Sequence, residues 1–141
     1  MSRSPINLWL SVPFDLAKEI LDEINEGPDL AVLSSAPMLD LWQPIRTPLQ
    51  ELCLAGRCVG HPILGVAERW IVTSQLLGLA PDMSWARTAS RFYRLGQTSE
   101  LRDIDSPPTI RFPKHCTPVP LDQLQHLLDA LGLAIRIAEG E

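Results

Sequence analysis

No stretch of this chain stays apolar for long enough to cross a bilayer as a helix. The longest run without Asp, Glu, Lys or Arg covers residues 70–81, twelve in all, where a spanning helix needs about 20. A signal peptide is not expected: residues 6–14 are mildly apolar, but no strongly basic start precedes them and no small-residue cleavage site follows. Cysteine is scarce and odd in number, at Cys53, Cys58 and Cys116. That argues against a disulfide framework and for free thiols, so a cytoplasmic location is expected. Lysine is nearly absent, with two against ten arginines, which hints at a GC-rich genome and has no direct bearing on function.

Catalytic signatures are missing as well. Gly56, Gly60 and Gly65 fit no phosphate-loop spacing, and Thr73-Ser74 has no nucleophile-elbow context. Cys53, Cys58 and His61, with His115-Cys116, are zinc-ligand types, but the four-residue gap between the first two is at the loose end of the usual two-to-four-residue pairs of structural sites. On a strand, positions 53 and 58 also point to opposite faces. His115 and Cys116 are adjacent, and neighbours in sequence rarely present their side chains to each other, so the pair is read as plain loop rather than as a thiol nucleophile. Asp103 and Asp105 lack a third acid. No catalytic residue, metal or cofactor is assigned, and the chain is not expected to be an enzyme.

What remains is globular in character. The apolar content is 45% and the charged content 21%, and 141 residues suit one domain, 1–141. Net charge is −5 but unevenly spread. Residues 84–115 carry six basic and three acidic side chains, a local +3, and the remainder stands at −8. Such asymmetry can mark a partner surface.

The periodicities predict an α+β fold: two N-terminal helices, a small antiparallel sheet around a central hairpin at about 69–95, and one C-terminal helix. Ser11-Val12-Pro13 opens the first helix, whose apolar stripe is Phe14, Ala17, Ile20, Leu21 and Ile24. Gly27-Pro28 ends it, and Pro28-Asp29 opens a short second helix to about Ser35. Pro37 and Pro44 bracket an irregular segment in which Trp42 is a core anchor. Strands are expected at 51–60, 69–79 and 85–95, with a turn at 80–83. The last of these also has a helical reading, with Arg87, Arg91 and Arg94 on one face, but the preceding turn favours a hairpin. A short edge strand at 109–112 precedes an amphipathic helix from Pro120 to Leu131 that stops at Gly132. Alternating Leu133, Ile135 and Ile137 suggest a final strand.

With the hairpin centred on Asp82, Val72 faces Phe92, Ser74 faces Ser90 and Leu76 faces Thr88, a side that packs on helices. The other side interleaves Thr73 and Gln75 with Trp85, Arg87, Arg91 and Tyr93. These residues, with Arg94, form the candidate binding set, because arginine and aromatics are enriched at interface hot spots. Against it stands the reading in which the arginines are solvated and pair with acids elsewhere.

The string Gly60-His61-Pro62, Thr73-Ser74, Trp85-Ala86-Arg87-Thr88 and Ser90-Arg91-Phe92-Tyr93-Arg94-Leu95-Gly96 resembles a group of small uncharacterised bacterial proteins, mostly alphaproteobacterial, that form a domain of unknown function. The resemblance covers about residues 36–96 and implies no activity. The functional expectation is a non-enzymatic module that binds another protein. An accessory or inhibitory factor of a phage or mobile element is one form of it, and anti-CRISPR-like inhibition a version that rests on analogy. The alternative is nucleic-acid binding through 84–115, which the net negative charge disfavours. No membrane partner is expected.

Overall fold

The structure, a computed structural model, describes residues 10–61, 69–99 and 116–140, with side chains to residue 137. Helix α1 (Phe14–Glu26) forms where expected and buries Ala17, Ile20 and Leu21 of its expected stripe, but Phe14, in the first turn, is exposed. Gly27 caps it with a positive φ of 79°, its N–H donating to the Glu23 and Ile24 carbonyls. Helix α2 (Leu30–Ser35) is capped by Asp29, whose carboxylate accepts the Val32 N–H at 2.8 Å.

Among the described residues, seven strands follow: β1 (Met38–Arg46), β2 (Leu52–Val59), β3 (Arg69–Val72), β4 (Leu76–Leu79), β5 (Trp85–Thr88), β6 (Phe92–Leu95) and β7 (Thr117–Pro118). Helix α3 (Leu121–Gly140) completes the chain. The sheet order is β3-β2-β1-β6-β5-β4, with β7 beside the far half of β1. All pairs are antiparallel except β1 with β6. The α+β class with two helices before the sheet and one after it holds.

The segment around Trp42 is a strand, not irregular. β1 carries a bulge between Asp40 and Gln43, with Leu41 at φ 50°. Gly56 makes room for it: a Cβ there would meet the Asp40 carbonyl and the Trp42 Cα, each at 3.0 Å. Pro44 is tolerated because it faces away from β2; its carbonyl accepts the Val119 N–H at 2.9 Å. Trp42 is the expected core anchor, 1% exposed, and its indole N–H donates to the Gly96 carbonyl.

The run 69–79 is not one strand. Thr73-Ser74-Gln75 break it, and β3 pairs with β2 while β4 pairs with β5. In a flat sheet those two edges would lie five strand spacings apart, about 24 Å. The chain from Val72 to Val72's fourth successor, Leu76, spans at most about 14 Å. The sheet therefore curls until its edges nearly meet, as the contact between β2 and β4 attests. Thr73 N–H donates to the Leu54 carbonyl on one side of the break, and Gln75 accepts the Ala89 N–H on the other.

The run 85–95 also divides. Thr88 N–H donates to the Arg91 carbonyl across a tight turn at Ala89-Ser90, and the Thr88 hydroxyl lies within hydrogen-bond distance of the Ser90 and Arg91 amides. The expected pairing of Leu76 with Thr88 is present, and the Ser74 and Ser90 hydroxyls meet at 2.8 Å. Val72 does not face Phe92, which pairs with Arg87.

Inside the curl lie Leu39, Trp42, Leu54, Cys58, Leu76, Leu79, Ala86 and Tyr93, closed over by Leu124 and Leu128 of α3. Helix α1 packs outside against β4 and α3, with Leu77, Leu131 and Ile135. Gly132 does not stop α3, and no final strand forms: Ile135 is buried while Leu133 and Ile137 are exposed. Leu124, Leu128, Leu131 and Ile135 continue one helical stripe. The expected strand at 109–112, Asp103, Asp105 and His115 lie outside the described residues.

Candidate interaction surface

The turn at Ala89-Ser90 decides where the expected binding residues go. Because Arg87 pairs with Phe92 and Trp85 with Arg94, odd positions before the turn share a face with even positions after it. Trp85, Arg87 and Arg94 therefore lie on the outer face of the curl, and Tyr93, with Arg91 two residues before it, on the inner one.

The outer set is tied into the fold. Arg87 is 9% exposed. Its guanidinium lies 3.4 Å from the Glu23 carboxylate of α1 and 5.2 Å above the Phe92 ring. Trp85 meets Phe92 edge-on, with centroids 5.4 Å apart. Arg94 donates from Nε to the Ala36 carbonyl at the end of α2. On the inner side Tyr93 is buried and stands 6.4 Å from the His61 ring. Burial raises the Tyr93 pKa and the Arg91 charge opposes that rise. Burial, with Arg91, lowers that of His61.

Thr73 and Gln75 are buried joints rather than exposed contacts. The Thr73 hydroxyl accepts the Leu54 N–H at 3.0 Å and donates to the Ser74 carbonyl at 2.8 Å. Gln75, 2% exposed, accepts from both the Ser11 N–H and hydroxyl. The seven residues thus do not form the single exposed face that an unbroken hairpin would give.

Among the described residues, a different surface is open. β3 is the outermost strand at one end of the described sheet order, whereas β4 at the other end is wholly buried against α1 and α3. Trp70 is 42% and Val72 40% exposed. The register aligns Asp40, Arg57 and Trp70 across three strands. Arg57 donates to Asp40 at 3.0 Å, so a matched ion pair borders the apolar side chains of Trp70, Val72 and the diagonal neighbour Val59.

Backbone polarity follows from the same ladder. Antiparallel pairs alternate between residues that bond to the partner strand and residues that face away. Thr73 bonds to Leu54, so Ile71 and Arg69 also face β2. The N–H and C=O groups of Trp70 and Val72 point to the open side. Sequence reasoning placed Val72 on a packed face. The polar trio Thr73-Ser74-Gln75 in the middle of an apolar run was the available sign of a break.

The cysteines are separated as strand parity implied. Cys58 lies in the main core, and Cys53 packs with Ile45, Ala55 and Cys116 on the other face of β2. Among the described residues, no three His, Cys, Asp or Glu side chains cluster so as to hold a metal ion, and no helix is long and apolar enough to cross a membrane.

No curated protein and no solved structure matches this chain. A family model matches residues 1–106 and so reaches past the 36–96 motif stretch to include both N-terminal helices, though not α3; the chain belongs to that family, a family of unknown function (DUF6634).

Proposed function

We propose that this protein is a binding module for another protein and performs no chemistry of its own, and that the β3 edge with Trp70, Val72 and Val59 is the surface it uses. The observation that carries this is the contrast between the two ends of the sheet order: β4 is buried, while β3 leaves an indole and an aliphatic side chain near half exposure. Open edges invite pairing, and proteins usually blunt or cover them. A tryptophan beside an arginine is also the composition favoured at interface hot spots.

Capture experiments with the full chain as bait test this. A stoichiometric protein partner is expected from a lysate of the source cell, and Trp70→Glu, checked for folding by circular dichroism, should lose it. Recovery of no partner, or of the same partner by the variant, contradicts the proposal. The competing reading, nucleic-acid binding through 84–115, is weakened because Arg87 and Arg94 are engaged within the fold. It requires steeply salt-dependent binding that Arg87→Ala with Arg91→Ala abolishes.

A further inference from the structure

We propose that β3 is a receptor strand: an extended segment of a partner protein, with two apolar residues two positions apart and an acidic residue next to one of them, adds to its outer edge as a further strand. This rests on the binding-module reading and specifies its mode and its ligand.

The backbone supplies the affinity. Trp70 and Val72 each direct one N–H and one C=O away from β2, by the alternation that Thr73 and Leu54 fix. An added strand would satisfy those four groups, as in other cases of strand addition. No described strand lies beyond β3 to do so.

The side chains supply the specificity. Partner residues opposite Trp70 and Val72 fall on the same face as those two, where the surface is apolar and the neighbouring Arg57 is already matched by Asp40. These positions call for apolar side chains. Residues opposite Ile71 and Arg69 fall on the other face. Ile71 packs against the main core, and Arg69 is exposed and makes no ion pair among the described residues. An acidic side chain opposite Arg69 completes a cross-strand charge pair.

A second copy of this chain fits less well. An antiparallel copy paired about Ile71 would use the same four backbone groups but set Arg69 opposite Thr73, which is neutral and buried. Two chains of net charge −5 also repel.

Displayed random peptides of about ten residues, the upper length of an ordinary strand, can be selected against the full chain, and the best one synthesised. The selected pool should be enriched in the apolar–any–apolar pattern with an adjacent acid. Val72→Pro removes an outward N–H and no β2–β3 bond, so the variant should keep its thermal midpoint and bind the peptide roughly tenfold or more weakly. Arg69→Glu should reverse the preference, so that the peptide with lysine in place of its acid binds better. If Val72→Pro fails to fold, slowed amide exchange at Trp70 and Val72 of the native chain on peptide binding takes its place. A pool without the pattern, or no selected binder, overturns the proposal. So does binding that is lost with Trp70→Ala but kept with Val72→Pro; that outcome leaves the binding-module reading standing. A dimer seen by sedimentation without peptide and dispersed by Val72→Pro assigns the edge to self-association and also overturns it.

Discussion

Cys53 and Thr73 show how single side chains are held in this fold. The Cys53 thiol is pushed up to about 12 by burial and by the nearby charges of Glu51 and Cys116, and burial raises Cys58 as well, against the pull of Arg91. Thiolates are the reactive form, so a thiol reagent at neutral pH should label Cys116, which is only half-buried, and reach Cys53 only on unfolding. The same shift is a stability term. Its contribution is fully present below the ordinary thiol value of 9.0 and is lost as pH rises from there toward about 12, at up to ~1.4 kcal/mol per pH unit. Tyr93, also raised by burial, acts in the same direction. Cys53→Ala should therefore flatten the alkaline loss of stability in denaturant titrations; an unchanged slope, or rapid labelling of folded Cys53, would count against this account. At Thr73 the hydroxyl replaces a backbone acceptor for the Leu54 N–H. Thr73→Val keeps the shape and orphans that donor, with an expected cost of about 1–3 kcal/mol, and Thr73→Ser should cost less. A Thr73→Val variant within about 0.5 kcal/mol of the native chain would show the bond to be dispensable.

At the scale of elements, α3 offers a direct check. A Cβ on Gly132 would find only Leu21 Cδ2, at 3.8 Å, and Gly132 is not among the glycines of positive φ. Gly132→Ala should raise stability by about 0.5–1 kcal/mol; a loss would mean that the helix ends there after all. Much of this level was legible in the sequence. The stripe of α1, the Asp29 cap, β2 and the first half of α3 each rest on local chemistry that a short window contains. The misplaced elements were decided by tertiary partners. Leu133, Ile135 and Ile137 satisfy a strand alternation, but Ile135 also extends the Leu124, Leu128, Leu131 stripe, and packing on α1 selects the helix. Pro44 forbids only a central strand that needs its N–H, and β1 turns that position away from β2. The seven residues of the binding set do not share one exposed face for two reasons: the break at Thr73-Ser74-Gln75 buries Thr73 and Gln75, and a tight turn at Ala89-Ser90, closed by the Thr88 hydroxyl, inverts face parity in a way that no periodicity of 85–95 records. Arg87 illustrates the consequence, since its partner Glu23 lies 64 residues away.

For the whole molecule, the curl of the sheet sets what the surface can do. By bringing β3 and β4 within a few residues of each other, it leaves, among the described residues, one end of the strand order packed against helices and the other with an uncovered row of backbone groups at Trp70 and Val72. Of the cations that suggested a charged ligand, Arg87 and Arg94 are engaged within the fold, which favours the proposed polypeptide ligand over a polyanion at these two positions. The central claim, that β3 presents an unpaired edge of this polarity, is tested most directly by hydrogen exchange of individual backbone amides in the free chain. Ile71 and Thr73 should exchange slowly and Trp70 and Val72 rapidly; protection of Trp70 and Val72 equal to that of their neighbours would mean that the edge is already covered, and would contradict the account.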